Sequence, residues 1–167
     1  MNVRELNVDD VDAFVEIRRA ALVDTPLAFA ASPEDDAASS AEVIREQLRN
    51  NAGYFIFGAF DDRLVGTLGL IRDRHIKAAH KVLLVGMYVV PGHRRRGIGA
   101  LLLEAAISRA RSMAGVSCVH LAVSDSTLAA RRLYERAGFI VWGSEPDALR
   151  YAGESHVEHH MILELES

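Results

Sequence analysis

The sequence predicts one α/β domain, spanning residues 1–167, in which helices alternate with the strands of a mixed sheet. The length suits a single domain with a sizeable core. Half of the residues are hydrophobic and a quarter are charged, as is typical of a soluble globular protein. No repeat, low-complexity segment or linker in the sequence divides the chain.

The first half of the chain carries two helical patterns and then a hairpin. Apolar residues recur at helical spacing after Asp9 or Asp10, either of which suits a helix cap, and Ser39 or Ser40 suits the cap of a second helix. An Asp61-Asp62 turn joins two strand-like runs. The predicted elements are a strand at 3–8, a helix ended by Thr25-Pro26, a helix up to residue 48, and strands at 54–60 and 64–71.

The second half alternates strands and helices more regularly. The strand patterns are short apolar runs, and the helix patterns repeat apolar residues at a spacing of three and four. The predicted elements are a strand at 82–90, a helix that starts at Gly97 and contains the helical run 101–113, a strand at 118–123, a helix at about 126–136, a strand that starts at 138–142, and a last strand that ends at 161–165.

Charge and composition exclude several classes of function. A net charge of −4 gives no general attraction to nucleic acid, so the basic cluster at 93–96 indicates a local site. The single cysteine, Cys118, excludes an internal disulfide and fits a reducing compartment. The N-terminus carries acids where a signal peptide has an apolar core, and no apolar run approaches the ~20 residues that span a bilayer. We therefore expect a cytoplasmic protein without membrane or nucleic-acid partners.

The segment at 89–100 predicts a binding site for phosphate. An apolar strand ends at Pro91, arginines follow at 94–96, and Gly97 and Gly99 precede a helical run. Glycine lets the backbone approach a ligand closely, and the free N–H groups at a helix start attract anions. Arginines at the positive end of a helix dipole are unfavourable unless a negative group lies there.

Three other interpretations of this segment are weaker. A P-loop requires Lys and Ser or Thr after its glycines, but Ala100 and Leu101 follow Gly99. A dinucleotide-binding fingerprint requires a third spaced glycine, and Leu102 and Leu103 occupy its place. A surface helix with an arginine- and glycine-rich start remains the simplest alternative, although strand, proline, arginines, glycines and helix all occur in order.

Two motifs together resemble the Gcn5-related N-acetyltransferase (GNAT) superfamily. Arg94, Gly97 and Gly99 match its Arg/Gln-x-x-Gly-x-Gly/Ala signature, which follows the fourth strand. The segment at 130–139 resembles its Ala-x-x-Leu-Tyr-x-x-x-Gly-Phe motif. The resemblance implies a single-domain fold with a central mixed, mostly antiparallel sheet and helices on both faces. It covers the element order of nearly the whole chain and is sharpest at 82–139.

The resemblance also implies a site for acetyl-CoA as cosubstrate. The strand before the signature would splay from the next strand, with a bulge at Gly86-Met87, and its backbone would pair with the pantetheine arm. The pyrophosphate would lie on the N–H groups of residues 95–100, and Thr127 would contact the cofactor arm or only cap a helix. The implied cofactor-binding residues are Tyr88, Val89, Val90, Arg94, Arg95, Arg96, Gly97, Ile98, Gly99, Ala100, Thr127 and Tyr134.

In the catalytic roles that the resemblance implies, Tyr134 is the general acid that protonates the leaving thiolate, and the backbone N–H of Tyr88 holds the oxyanion. From the sequence alone Tyr134 is equally a packed aromatic residue. The strand at 82–90 lacks the carboxylate base of some relatives. His75 or His80 is a base acting through water or a solvated loop residue, so the general base is unassigned.

Three further features carry weaker expectations. Arginine replaces the glycine of many relatives at position 95, which costs little if the backbone there is ordinary. The acidic run Glu34-Asp35-Asp36 is a solvated loop or guides a cationic acceptor amine, and Phe29 lines the acceptor pocket or anchors the loop in the core. His156, His159 and His160 with Glu154 and Glu158 suggest a metal cluster, but neighbours on a strand face opposite sides, so no metal site is expected.

The sequence thus predicts an acetyl-CoA-dependent N-acetyltransferase that acts by direct attack of a primary amine, on a small molecule or a peptide, in a ternary complex. One alternative is a non-catalytic domain of the same fold that binds or senses acyl-CoA. Another is a nucleotide-binding protein of a different class. A homodimer is possible because relatives are often dimers.

Overall fold

The computed structural model describes residues 1–50 and 53–166, which form seven strands and four α-helices. The strands are β1 (Asn2–Glu5), β2 (Tyr54–Asp61), β3 (Arg63–Arg72), β4 (Lys81–Val89), β5 (Cys118–Ser124), β6 (Ile140–Tyr151) and β7 (Glu154–Glu164). The helices are α1 (Val11–Asp24), α2 (Ala41–Asn50), α3 (Ile98–Ser112) and α4 (Leu128–Arg136). None of the described helices is long and apolar enough to cross a membrane.

All seven strands belong to one sheet, in the order β1-β2-β3-β4-β5-β7-β6. Every neighbouring pair is antiparallel except β4 and β5, which are parallel. A parallel pair needs a crossover connection, and α3 supplies it. The turn between β2 and β3 places Asp62 in the left-handed region, at a φ of +61°, which aspartate tolerates better than most residues.

Helices cover both faces of the sheet, so the predicted fold class is confirmed. On one face, α1 and α2 bury a core that includes Phe14, Leu22 and Ile44 against β2 and β3. On the other face, α3 buries Leu102 and Leu103 in a second core that also takes in residues of α4 and the sheet. The two cores place α1 and α4 on opposite sides of β4.

Helix starts differ from the predicted ones because the chain uses local turns before them. The Asn7 side chain, rather than Asp9 or Asp10, accepts a hydrogen bond from the backbone at the start of a short 3₁₀ turn, and Asp10 completes a capping box with it. Helix α3 begins at Ile98, one residue after the predicted start at Gly97, because Gly97 in a left-handed conformation forms its N-cap. The Ser40 hydroxyl accepts a hydrogen bond from Val43 N–H at 3.5 Å, in agreement with the prediction for α2.

Candidate active site

Strands β4 and β5 open into a cleft. They pair only at their first three positions, from Lys81 opposite Cys118 to Leu83 opposite His120. Beyond that point the cleft is lined by β4 on one wall and by β5 and α4 on the other. The register of β4 against β3 shifts between Val85 and Tyr88, and Gly86 has a φ of +66°, so the predicted bulge is present at Gly86-Met87.

After the bulge, the N–H and C=O groups of successive β4 residues point alternately toward β3 and toward the cleft. Val90 N–H donates to Val65 O at 2.9 Å, which makes these two residues a hydrogen-bonded pair. Because such pairs alternate along an antiparallel ladder, the N–H of Tyr88 faces its partner Thr67 on β3, and Val89 N–H faces the cleft. The peptide groups of Tyr88 and Val90 are therefore turned away from the cleft, which contradicts the predicted oxyanion role of Tyr88 N–H.

Tyr88 instead belongs to a side-chain network with α1. Its ring lies in the core under that helix, and its hydroxyl donates to Asp24 Oδ2 at 3.2 Å. Burial, reinforced by the Asp24 carboxylate, raises the pKa of Tyr88. The guanidinium of Arg94 pairs with the same carboxylate, and its Nε donates to Val89 O at 2.8 Å. Arg94 thus joins the end of β4 to α1. The prediction placed its side chain at the phosphate site by the start of α3, and the structure does not.

The start of α3 presents free N–H groups beside two arginines. The first helical hydrogen bond runs from Leu101 N–H to Gly97 O at 3.1 Å, so the N–H groups of residues 98–100 have no partner within the helix. Arg95 and Arg96 are exposed next to them. Arg96 lies 3.6 Å from Asp61, an exposed pair that leaves its charge accessible. This arrangement fits an anion such as a pyrophosphate.

Arg95, Gly97 and Gly99 differ in backbone conformation and in the space around them. Arg95 has a φ of +61°, so its backbone is not ordinary, and the glycine of many relatives would relieve strain there. Gly97 has a φ of +77° with open space around its α-carbon. Gly99 packs closely against α4, because a Cβ there would lie 3.1 Å from Leu133 Cδ2 and would require that side chain to shift slightly.

Tyr134 lies on the opposite wall of the cleft. The residue is 6 % exposed, and its ring packs edge-on against Phe139 at 5.9 Å between centroids. Its ring lines the cleft, and no described residue hydrogen bonds its hydroxyl. Burial raises the pKa of Tyr134 to about 12, which keeps the hydroxyl protonated. The side chain is packed, as in one sequence interpretation, and its role as a general acid stays a prediction.

Thr127 lies where β5 turns into α4. Thr127 occupies the N-cap position of α4, but its hydroxyl donates to Ser124 O at 2.8 Å and makes no cap hydrogen bond to the helix. The side chain lines the cleft beside Tyr134. The oxygen of Thr127 therefore remains available as an acceptor.

Glu158 on β7 is a carboxylate in the cleft that the sequence interpretation did not assign. It lines the cleft wall with Tyr134 and is the only acidic residue among the described residues that does so. Burial raises the pKa of Glu158, and the charge of His160 opposes that shift. Glu158 lies opposite Ser124 on β5 and opposite Glu145 on β6, so only the pairing of three strands reveals its position.

His160 and Glu145 stand beside Glu158 on the same face of the sheet. One polar atom from each of the three side chains lies within 4.8 Å of those of the other two, and His160 Nε2 is 3.1 Å from Glu145 Oε2. His159 faces away, with its Nδ1 2.8 Å from the Ser144 hydroxyl, as the strand alternation predicts. The group combines two acids with one basic ring and sets the electrostatic surroundings of Glu158.

Neither histidine proposed as a base lies in the cleft. His80 directly precedes β4, at the end where β4 and β5 are paired and the cleft is closed. His75 is exposed and its Nδ1 is 2.8 Å from Asp73 Oδ1. Both positions agree with the alternative interpretation as solvated loop residues.

Within the acidic run at 34–36, Glu34 and Asp35 are exposed, in agreement with a solvated loop, and only Asp36 differs. Asp36 is only 4 % exposed in its side chain and forms an ion pair with Arg18 at 2.8 Å. Its carboxylate also accepts a hydrogen bond from Ser39, so it is fully engaged. Phe29 is 8 % exposed and belongs to the core under α1, which agrees with an anchoring role.

The chain belongs to the acetyltransferase (GNAT) family, whose family model matches residues 14–139. The match includes the cleft walls on β4 and β5, the start of α3 and Tyr134. It ends before β6 and β7, so it does not include Glu158.

Solved structures of this fold superpose over nearly the whole chain. A GNAT-family acetyltransferase from Streptococcus pneumoniae matches with a TM-score of 0.87 at 20% identity, covering 98% of this chain and 99% of that one. YncA from Salmonella typhimurium, solved with its cofactor acetyl-CoA, matches with a TM-score of 0.86 at 22% identity, covering 100% and 95%. A phosphinothricin acetyltransferase from Sinorhizobium meliloti in complex with acetyl-CoA has a TM-score of 0.83 at 19% identity, covering 98% and 88%.

Proposed function

We propose that this protein is an N-acetyltransferase that uses acetyl-CoA to acetylate a primary amine. One observation carries the proposal. The start of α3, with its free N–H groups, lies at the mouth of a cleft in which β4 has no strand partner on the β5 side beyond Leu83. One ligand with a phosphate group and an amide-containing arm satisfies both features. Two structures of the same fold contain acetyl-CoA, which supports this choice of ligand.

The described residues fit acetyl-CoA in three places. The N–H groups of residues 98–100, with Arg95 and Arg96 nearby, suit the phosphates. The open edge of β4 at Val89 suits the amide groups of the arm. Thr127 offers a further acceptor on the opposite wall. Acetyl-CoA supplies the activated acetyl thioester, and the remaining chemistry belongs to residues of this chain.

Proton transfer would use the two side chains on the β5–α4–β7 wall. Glu158 accepts a proton from the acceptor ammonium, directly or through water, and leaves a neutral amine. The amine nitrogen bonds to the acetyl carbon as the carbon–sulfur bond breaks, and Tyr134 gives its proton to the departing sulfur. The new amide nitrogen loses its second proton to the Tyr134 oxygen, directly or through water, and Glu158 releases its proton to solvent. The buried surroundings that raise the pKa of Tyr134 also disfavour a charged thiolate. A proton donor at this position therefore makes the departure of the sulfur easier.

The oxyanion would be held by a backbone donor of β4. The Val89 N–H faces the cleft, and by the same alternation so does that of Met87, which directly follows the bulge residue Gly86. A backbone donor fixed in a sheet needs no reorganisation when charge develops on the carbonyl oxygen. We therefore assign this role to the N–H of Met87 in place of that of Tyr88, and the N–H of Val89 remains for the arm of acetyl-CoA.

Calorimetric titration tests the cofactor assignment. We expect acetyl-CoA to bind and ATP and NAD to compete poorly, because neither carries the pantetheine arm. Gly97→Ala should weaken acetyl-CoA binding by ~5–30-fold, since an L-residue in the left-handed region costs about 1–2 kcal/mol and the N–H groups then converge less often. Gly99→Val is a poorer variant because it would also disturb Leu133.

Gly92→Ala is the matched control for this titration. Gly92 lies in the same loop, has open space around it and no positive φ, so its replacement should leave the affinity unchanged. Thiol release from acetyl-CoA in the presence of primary amines then measures turnover. Well-folded protein that binds no acetyl-CoA would refute the proposal, and binding without thiol release for any amine would indicate a non-catalytic acyl-CoA-binding domain.

A further inference from the structure

An open groove lies on the α1 side of the sheet, between α2 and the connection from β3 to β4. Its volume is about 590 Å³. Tyr54 and Ile71, which are cross-strand partners on β2 and β3, form its floor, and Gln47 and Asp73 line its two sides. The free space within the cleft is much smaller, about 70 Å³. The groove is therefore the larger of the two spaces that a ligand could fill.

An exposed apolar path joins this groove to the cleft. Ile71 lies opposite Leu83 on β4, and the two residues are 37 % and 41 % exposed. Val85 is two residues further along β4, so its side chain points to the same face of the sheet, and it lines the cleft. The groove and the cleft are therefore parts of one continuous surface.

The carboxylate of Glu158 faces the same side of the sheet as this path. Leu83 lies opposite His120 on β5, and His120 lies opposite Ile162 on β7. Ile162 and Glu158 are four residues apart on one strand, so their side chains point to the same face. A strand spacing of about 4.8 Å and a rise of about 3.3 Å per residue place Glu158 roughly 20 Å from Ile71 along this surface.

The cleft end of this surface suits an ammonium group and disfavours a carboxylate. Glu158 is the only charged residue among the described residues that line the cleft, and Glu145 stands beside it, with an oxygen within 4.8 Å. A free amino acid would hold its carboxylate carbon two bonds from the reacting nitrogen, close to both acids and without a basic lining residue to offset the repulsion. In a peptide, that carboxylate is replaced by an uncharged amide.

We propose that the acceptor is the N-terminal amine of a peptide, whose first residue lies beside Glu158 and whose following residues lie along the path to the groove. The inference rests on the proposed acetyltransferase function. An extended chain covers about 3.3–3.6 Å per residue, so about five or six residues span the distance from Glu158 to Ile71. A single amino acid is too short to use the groove.

The mixed lining of the groove favours a peptide over an alkylamine of the same length. Apolar side chains of a peptide would cover Leu83 and Ile71, and its backbone amides would pair with the polar groups of Gln47 and Asp73. An alkyl chain would cover the apolar residues but would take these polar groups from water without a partner, which is unfavourable.

Peptide amides of increasing length test the proposal by thiol release from acetyl-CoA. The series runs from alaninamide to the amide of Ala-Val-Ser-Val-Ser-Val-Ser-Val, and it is repeated with Gly or Ser first because the cleft is small. We expect kcat/KM to rise by about 10–100-fold up to five or six residues and then to level off, because later residues lie beyond the groove. No gain with length would overturn the inference.

Free alanine tests the charge argument in the same assay. It is compared with alaninamide at equal concentrations of neutral amine, so that the different amine pKa values of the two compounds do not affect the result. We expect alanine to be the poorer acceptor because its carboxylate approaches Glu158 and Glu145. A free amino acid that reacts faster than its amide and its peptides would also overturn the inference.

Single substitutions in the path separate peptide binding from folding. Ile71→Thr and Leu83→Thr each place a smaller, β-branched residue that suits a strand, so the ratio of kcat/KM for the hexapeptide amide to that for alaninamide should fall by about 3–20-fold. Ile76→Thr is the matched control, because Ile76 is 94 % exposed in the same connection between β3 and β4 and lines neither space. It should keep the native ratio. A native ratio in both path variants would refute the proposal.

Two other occupants of this surface would give different results. If a peptide with a blocked N-terminus and an internal lysine were the better acceptor, the site would bind a side chain, and the proposal would be wrong. If Leu83→Thr converted a dimer into a monomer in light scattering and left the length dependence unchanged, the path would be a contact between two copies of the chain. That result would also overturn the proposal.

Acetyl-CoA titration separates these failures from a failure of the acetyltransferase function. If the protein binds acetyl-CoA but no peptide amide releases thiol, the peptide class is wrong and the cofactor site stands. If the protein binds no acetyl-CoA, the acetyltransferase function itself fails.

Discussion

The two walls of the cleft are built in different ways. The β4–α3 wall offers backbone groups from one continuous segment, from the bulge at Gly86 to the helix start at Ala100. The opposite wall offers side chains from separate elements: Thr127 and Tyr134 at α4, and Glu158 on β7. The first wall suits binding of an extended ligand, and the second suits proton transfer.

This difference determines how each wall responds to mutation. A backbone site depends on the local φ values and on glycine, so a substitution there changes affinity by the cost of local strain. A side-chain site depends on one atom of each residue, so removing that atom changes the chemical step. We therefore expect larger effects on turnover from the β5–α4–β7 wall than from the β4–α3 wall.

Glu158→Gln should have the largest effect. The amide keeps the shape of the side chain but cannot accept the acceptor proton, so kcat/KM should fall by about 10²–10⁴-fold at neutral pH. The fall should be smaller at alkaline pH, where more of the acceptor amine is already neutral. Steady-state rates across the pH range measure both effects.

Glu154→Gln is the control for this comparison. Glu154 lies on the same strand, is exposed, and is not among the residues that line the cleft. Its replacement should leave the rate unchanged. If Glu158→Gln turned over as fast as the native protein, Glu158 would not be the base and the catalytic role of this wall would reduce to Tyr134.

Tyr134→Phe should have the next largest effect. The phenyl ring preserves the packing against Phe139 but removes the hydroxyl proton, so we expect kcat to fall by about 10²-fold. Affinity for acetyl-CoA should change little, because the ring still fills the same space. Single-turnover rates and calorimetry separate the two quantities. A native kcat would leave Tyr134 with a packing role alone.

The same contrast explains which parts of the site were predictable from the sequence. The anion site at the start of α3 needs only neighbouring residues, and the strand, Gly97 and helix pattern are visible in order. The mixed sheet and the bulge at Gly86 were predicted for similar reasons. The orientation of Tyr88 was not, because it depends on the pairing of Val90 with Val65 on another strand.

Residues brought together by topology were missed. Glu158 enters the cleft only because β7 inserts between β5 and β6, an order that periodicity does not reveal. Arg18 meets the bulge because α1 packs across β3, far along the chain from Gly86. The pairing of Asp36 was missed because its partner Arg18 is 18 residues away on another element. A short motif therefore indicates the cofactor wall, and the acceptor and base need the three-dimensional structure.

His160→Gln should have the smallest effect, a shift of the pH profile. The pKa of Glu158 is raised by burial, and the charge of His160 lowers it. Removing the ring removes that lowering influence and frees Glu145, whose charge also raises the Glu158 pKa, so both consequences act in the same direction. The acidic limb of kcat/KM should move to higher pH, with the plateau rate retained.

His159→Gln is the matched control, since its ring faces the other side of β7 and pairs with Ser144. Its profile should coincide with the native one, because no contact of His159 reaches the Glu158 carboxylate. A shift to lower pH in His160→Gln would contradict the assigned base, since a group that must lose its proton to act becomes active at lower pH only when its pKa falls. The direction of this small shift therefore tests whether Glu158, rather than a distant group, controls the rate at acidic pH.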